Sequence, residues 1–144
     1  MSGPGARTRH RAREAVFRVA YQAELSHDSY LQAWRIRSAE EGLDASQTEL
    51  VEDVVRLLEA RVAEVDARLR GATEHWPLER LSATDRSVLR TAVAELIGRP
   101  GTPARVVLDE SIEIAKRYGS EESGRFVNGV LDRVARELRP AEFA

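Results

Sequence analysis

Apolar residues recur along this chain at three- and four-residue intervals, and the intervals break at short clusters of Gly, Pro, Ser and Asp. That spacing predicts helices. From about Arg9, Ala12, Ala15, Val16, Val19, Ala20 and Ala23 line one face, with Phe17 and Tyr21 on its shoulder. Ser26-His27-Asp28-Ser29 reads as a turn and cap. A shorter helix bearing Tyr30, Leu31 and Trp34 follows and ends near Gly42. A long third helix runs from about Gln47 to Arg70 on Leu50, Val51, Val54, Val55, Leu58, Val62, Val65 and Leu69. Ser46 and Glu49 have the spacing of a capping box at its start. Its acids, Asp66 among them, read as a solvated face.

His75-Trp76-Pro77 interrupts the helical pattern, because Pro77 lacks an amide and restricts the residue before it. Trp76 is expected to be a packing wedge between two halves rather than a platform for a ligand. A fourth helix, opened by Ser82 and Asp85, carries Val88, Leu89, Ala92, Val93 and Leu96 and stops at Gly98. Thr102 suits the N-cap and Pro103 the first position of a fifth helix. That helix carries Val107, Leu108, Ser111, Ile112 and Ala115 to a break at Tyr118-Gly119-Ser120. Gly119 suits a left-handed stop. Ser120-Glu121-Glu122-Ser123 supplies acceptors for a last helix on Phe126, Val127, Val130, Leu131, Val134 and Leu138, which Pro140 ends. Asn128-Gly129 inside it is costly, since Gly in a helix interior costs roughly 1 kcal/mol against Ala. Two readings are open: close helix packing at Gly129, or an exposed polar site at a helix start. The sum is an all-α fold of six or seven helices, arranged as two small antiparallel bundles over about 9–72 and 76–139. Residues 1–8 form a basic tail before them and 140–144 a tail after.

Composition adds little to this and excludes much. The chain has 144 residues, 42% hydrophobic and 32% charged, which suits one helical domain. It has no cysteine, so disulfides and thiolate chemistry are excluded. No apolar run approaches the roughly 20 residues of a membrane span, and no secretory h-region follows the N-terminus, so a cytoplasmic location is expected. His10, His27 and His75 are scattered and share no metal-ligand spacing. Phosphate-binding, dinucleotide-binding and nucleophile-elbow motifs are missing, so neither catalytic residues nor a cofactor is expected.

Charge is uneven. The net charge is −2, yet the first 21 positions hold Arg7, Arg9, Arg11, Arg13 and Arg18 against Glu14 alone, a local +4. Lys116 is the sole lysine, so positive charge is almost all guanidinium, whose planar fork suits phosphate. Cations at a helix start oppose the macrodipole and invite an anion. Such arginine-rich segments bind RNA in many proteins.

The run Glu110 to Val134, ESIEIAKRYGSEESGRFVNGVLDRV, resembles the C-terminal signature of the NusB family of bacterial transcription antitermination factors. Trp76-Pro77-Leu78-Glu79-Arg80-Leu81 and Asp85-Arg86-Ser87-Val88-Leu89-Arg90 fit the family's central run, and Arg11-Ala12-Arg13-Glu14 with Tyr21-Gln22 its opening helix. The resemblance covers about residues 7–139. It implies two three-helix bundles and binding of single-stranded boxA RNA in ribosomal RNA leader transcripts. It also implies a ribosomal-protein partner, NusE, and read-through by RNA polymerase. Carried over, the RNA surface takes in Arg7, Arg9, Arg11 and Arg13, with Tyr21 as a stacking aromatic. It continues through Glu122, Ser123, Arg125, Phe126 and Asn128. Glu79, Asp85, Glu95 and Glu110 are candidate contacts for the basic partner. Two other readings stand beside it. One is a helical interaction module that self-associates, with dimers reported for some family members. The other is the RNA-binding module of ribosomal RNA cytosine methyltransferases, which would make this chain a fragment.

Overall fold

The computed structural model describes residues 4–73 and 75–144, with side chains from Arg9 onward except at 74. Six helices follow in order: α1 (Pro4–Ser26), α2 (Tyr30–Glu41), α3 (Ala45–Ala72), α4 (Ala83–Gly98), α5 (Ala104–Tyr118) and α6 (Glu121–Leu138). Single 3-10 turns occupy Leu78–Arg80 and Pro140–Phe143. No strand occurs among the described residues.

The apolar stripes pack as their spacing requires. α4 is central and touches α1, α3, α5 and α6, while α1 also lies against α2 and α3. One continuous core results. Val16 and Val19 of α1, Leu50 and Leu58 of α3, Leu89 and Val93 of α4, Leu108 of α5 and Leu131 of α6 are all buried in it. The core runs across the 73–82 connection rather than stopping there. The residue that plugs that connection is Leu78, 1% exposed, while Trp76 beside it stands 62% exposed. The residue that fills the connection is therefore two positions further on, and Trp76 faces solvent.

Other expectations also change. α1 begins at Pro4, five residues before the apolar stripe makes a helix visible. α3 is capped by Asp44, not Ser46: Asp44 Oδ1 accepts from Gln47 N at 2.8 Å, and Gln47 Oε1 accepts from Asp44 N at 2.8 Å. Within α3 the backbone at Arg61 leaves helical geometry (φ −136°, ψ 28°) and kinks the rod. Asp66 is buried and bonded by Arg90 Nε at 2.9 Å and Nη2 at 3.0 Å, which ties α3 to α4. It is no part of a solvated face. Pro103, not Thr102, takes the N-cap position of α5. The first α5 amide, Ala104 N, donates to Glu142 Oε1 at 2.8 Å, so the segment read as a tail folds back as a cap. Arg139 helps hold it there through the carbonyls of Leu96, Arg99 and Thr102.

Gly42 closes α2 in the left-handed region, φ 61°. Gly119 does not, with φ −116°. It is needed for space instead: a Cβ there would meet Ser123 Oγ at 2.6 Å and Ala115 O at 2.8 Å. That space lets α5 and α6 join through two residues. Gly129 is exposed, and nothing lies within 4 Å of a Cβ built there. Close packing at Gly129 is thus overturned. The close approach between α5 and α6 is at Gly124, whose Cβ would meet Lys116 Cγ at 2.7 Å.

Candidate nucleic-acid interface

The arginine segment of α1 divides into two sets. Arg9 and Arg11 are exposed, and Arg11 Nη2 donates to Glu41 O at the end of α2, 3.2 Å away. Arg13 turns inward. It is 5% exposed and grips Glu95, 3% exposed, through Nε at 2.9 and 3.0 Å and Nη2 at 2.8 Å. Two sequence candidates, one for RNA and one for a protein partner, are therefore each other's partner inside the fold. The cause is register: Arg13 lies three residues before Val16 and seven before Ala20, on the buried stripe of α1. The Arg7 side chain lies outside the described residues.

Glu14, one position on, is also buried. Its carboxylate accepts from Arg117 Nη1 at 3.0 and 2.7 Å and from the Tyr118 hydroxyl at 2.8 Å, and His10 Nε2 lies 3.1 Å away. This is the junction between α1 and the end of α5. The Tyr118 hydroxyl oxygen in turn accepts from Arg18 Nη1 at 2.9 Å. Burial, then the Glu14 carboxylate, pushes the Tyr118 phenol above its usual range. Arg18 also grips Glu41 at 2.7 and 3.1 Å, and that bond holds the Glu41 carboxyl below its usual range.

Tyr21 stacks on Phe17 with centroids 5.8 Å apart, and Phe17 in turn meets Tyr118 at 4.7 Å. These three rings with exposed Leu25 and half-buried Arg37 and Thr84 line an open groove of about 540 Å³. Thr84 lies in the first turn of α4, and its neighbour Asp85 lines a second cavity of about 290 Å³ with Trp76, Leu81, Ser120, Glu122, Ser123 and Phe126. The α6 start shapes this second site. Ser120 Oγ accepts from Ser123 N at 3.1 Å and fixes the helix entry. Glu122 is exposed, while Ser123 and Phe126 are half-buried at the cavity edge. Arg125 and Asn128 lie exposed further along α6, within the helix rather than at its start. Arg9 and Arg125 form no ion pair among the described residues.

The other partner candidates divide similarly. Glu79 is exposed and bonded to Arg70, which holds its carboxyl below the usual range. Asp85 keeps one buried carboxylate oxygen, Oδ1, without a hydrogen bond. Glu110 is occupied by His10, with Arg13 Nη1 3.8 Å away. Trp76 is the residue that sequence reasoning misplaced. Only its place before Pro77 in a loop sets it apart in the sequence, and that does not decide its exposure.

The NusB family model matches residues 10–136. The chain belongs to the NusB family. It is 40% identical over 132 residues to the transcription antitermination protein NusB of Koribacter versatilis, covering 91% of this chain and 90% of that one. It is 42% identical over 130 residues to that of Sorangium cellulosum, covering 90% and 93%. A solved Thermotoga maritima NusB superposes with a TM-score of 0.84 at 38% identity, covering 99% of each chain. A crystal structure of antitermination factors NusB and NusE in complex with dsRNA gives 0.76 at 27% identity, over 91% and 98%. The NusB fold here therefore carries an aromatic cavity at the α6 start and exposed arginines at the α1 start. Among the described residues no three His, Asp or Glu side chains converge to hold a metal ion. No described helix is long and apolar enough to cross a membrane.

Proposed function

We propose that this NusB-family chain is an RNA-binding antitermination factor. It engages boxA RNA of ribosomal RNA leaders together with NusE, so that RNA polymerase reads through terminators. One observation carries the assignment of the site: exposed Trp76 stands beside half-buried Phe126 over a cavity edged by Ser123 and Glu122. An exposed tryptophan costs apolar hydration with no packing return, and a splayed base stacked on it removes that cost. Ser123 and Asn128 supply hydrogen-bonding groups for base edges, and Arg9, Arg11 and Arg125 supply charge for phosphates. The NusE contact is assigned to exposed Glu79, to half-buried Asp85 and to the groove of Phe17, Tyr21, Leu25 and Tyr118. A factor that acts on nascent transcripts in this way works in the cytoplasm.

The test is fluorescence anisotropy with a labelled single-stranded boxA-like RNA, a scrambled strand and a duplex, each with and without NusE, over a salt series. Preference for the boxA strand that weakens with salt supports the reading. Equal binding to all three probes, or none even with NusE, overturns it and leaves a helical self-association module in its place.

A further inference from the structure

We infer that Arg117 is a further RNA-contact residue, a fixed phosphate fork that joins the α1 arginines and the α6 cavity into one track. The inference rests on the RNA-binding reading above and assigns a residue that the family motifs did not single out. Arg117 is the next-to-last residue of α5, two before Gly119. Its side chain is 66% exposed, yet it is not loose. Only Nη1 is spent on Glu14, at 3.0 and 2.7 Å. The guanidinium also lies over the Tyr118 ring, 5.5 Å from the centroid. Nε and Nη2 meet no acceptor among the described residues. One donor thus anchors the plane while the others remain free for an anion. A guanidinium already held in place loses little rotamer freedom on binding phosphate, and its fork matches two phosphate oxygens.

Its position matters as much as its chemistry. Glu14 belongs to the helix that carries Arg9 and Arg11, and Ser120 caps the helix that carries Phe126. Arg117 bonds the first of these helices through Glu14 and lies three residues before Ser120, the cap of the second. Glu14 in this account is a positioning residue: it touches no RNA and sets the Arg117 plane.

A competing role is plain stabilisation of the α5 C-terminus, where a cation suits the macrodipole. The two differ in what they move. The experiment uses the full chain and the single-stranded boxA-like probe over a salt series, with thermal unfolding of every variant. Arg117→Ala should bind about tenfold more weakly. The slope of log affinity against log salt should fall by about 0.7, one phosphate contact on a single strand. Arg117→Lys should keep the slope and recover only part of the affinity. Glu14→Gln should weaken binding although it makes the chain less negative. Arg105→Ala, on the same helix about 18 Å away, should bind as the parent does. Parent-like affinity and slope in Arg117→Ala, with the parent binding RNA, overturn this inference alone. A parent that binds no RNA overturns both this inference and the RNA reading.

Discussion

Arg13 and Glu95 show how far a single side chain can depart from its composition. A fully buried ion pair gains little over a well-packed apolar pair, but losing one partner strands the other. Glu95→Gln or Arg13→Ala should therefore destabilise the fold by about 3–5 kcal/mol in urea unfolding. The double variant should lose less than the two singles together. At Trp76 the expectation reverses. Trp76→Ala should leave the unfolding temperature within about a degree of the parent, because the ring is exposed. It should weaken boxA-strand binding by about 1–3 kcal/mol. Quenching of its fluorescence by the RNA would report the stacking directly.

At the level of helices and their joints, two glycines ten residues apart have opposite needs. Gly119→Ala drives a methyl into Ser123 Oγ and Ala115 O, and overpacking of this kind costs about 1–3 kcal/mol. Gly129→Ala meets nothing and should add roughly 0.5–1 kcal/mol through helix propensity. Chemical unfolding of the two variants checks both signs. Periodicity made all six helices and most of their ends legible, since each apolar stripe had to find a partner. It failed where the deciding contact was distant in sequence. Nothing near Ala104 announces that Glu142 caps it, and nothing near Asp66 announces Arg90. Charge counting failed at Arg13 for a related reason: composition records how many arginines a segment has, not which ones its register buries. Glu122, Ser123 and Phe126, singled out by the family motif, line one cavity in the fold. The candidate site was not legible at Trp76, because a loop residue's exposure depends on which neighbour fills the core, here Leu78.

For the whole molecule, the Glu41 clamp predicts an acid dependence. Arg18, helped by Arg37, holds the Glu41 carboxyl below its ordinary value near 4.5. A depressed carboxyl gives stability that is complete above the unfolded value and is lost as pH falls through the folded one. Between about pH 5 and pH 3 the parent should therefore lose stability faster than Glu41→Gln, which has no proton to take up. Parallel curves over that range would show that the clamp contributes nothing to folding.

The sole lysine has a consequence for how this chain can be observed. Lys116 packs its aliphatic stem over Gly124, and its amine reaches toward Glu121, 4.0 Å away. Apart from the chain's own α-amine, an acylating dye has one place to react. That place is the α5–α6 junction, next to Arg117 and within two turns of the aromatic cavity. The native sequence thus supplies an addressable position for a chemical footprint. A ligand lying across the junction should shield one amine, and mass spectrometry would read the protection at a single peptide.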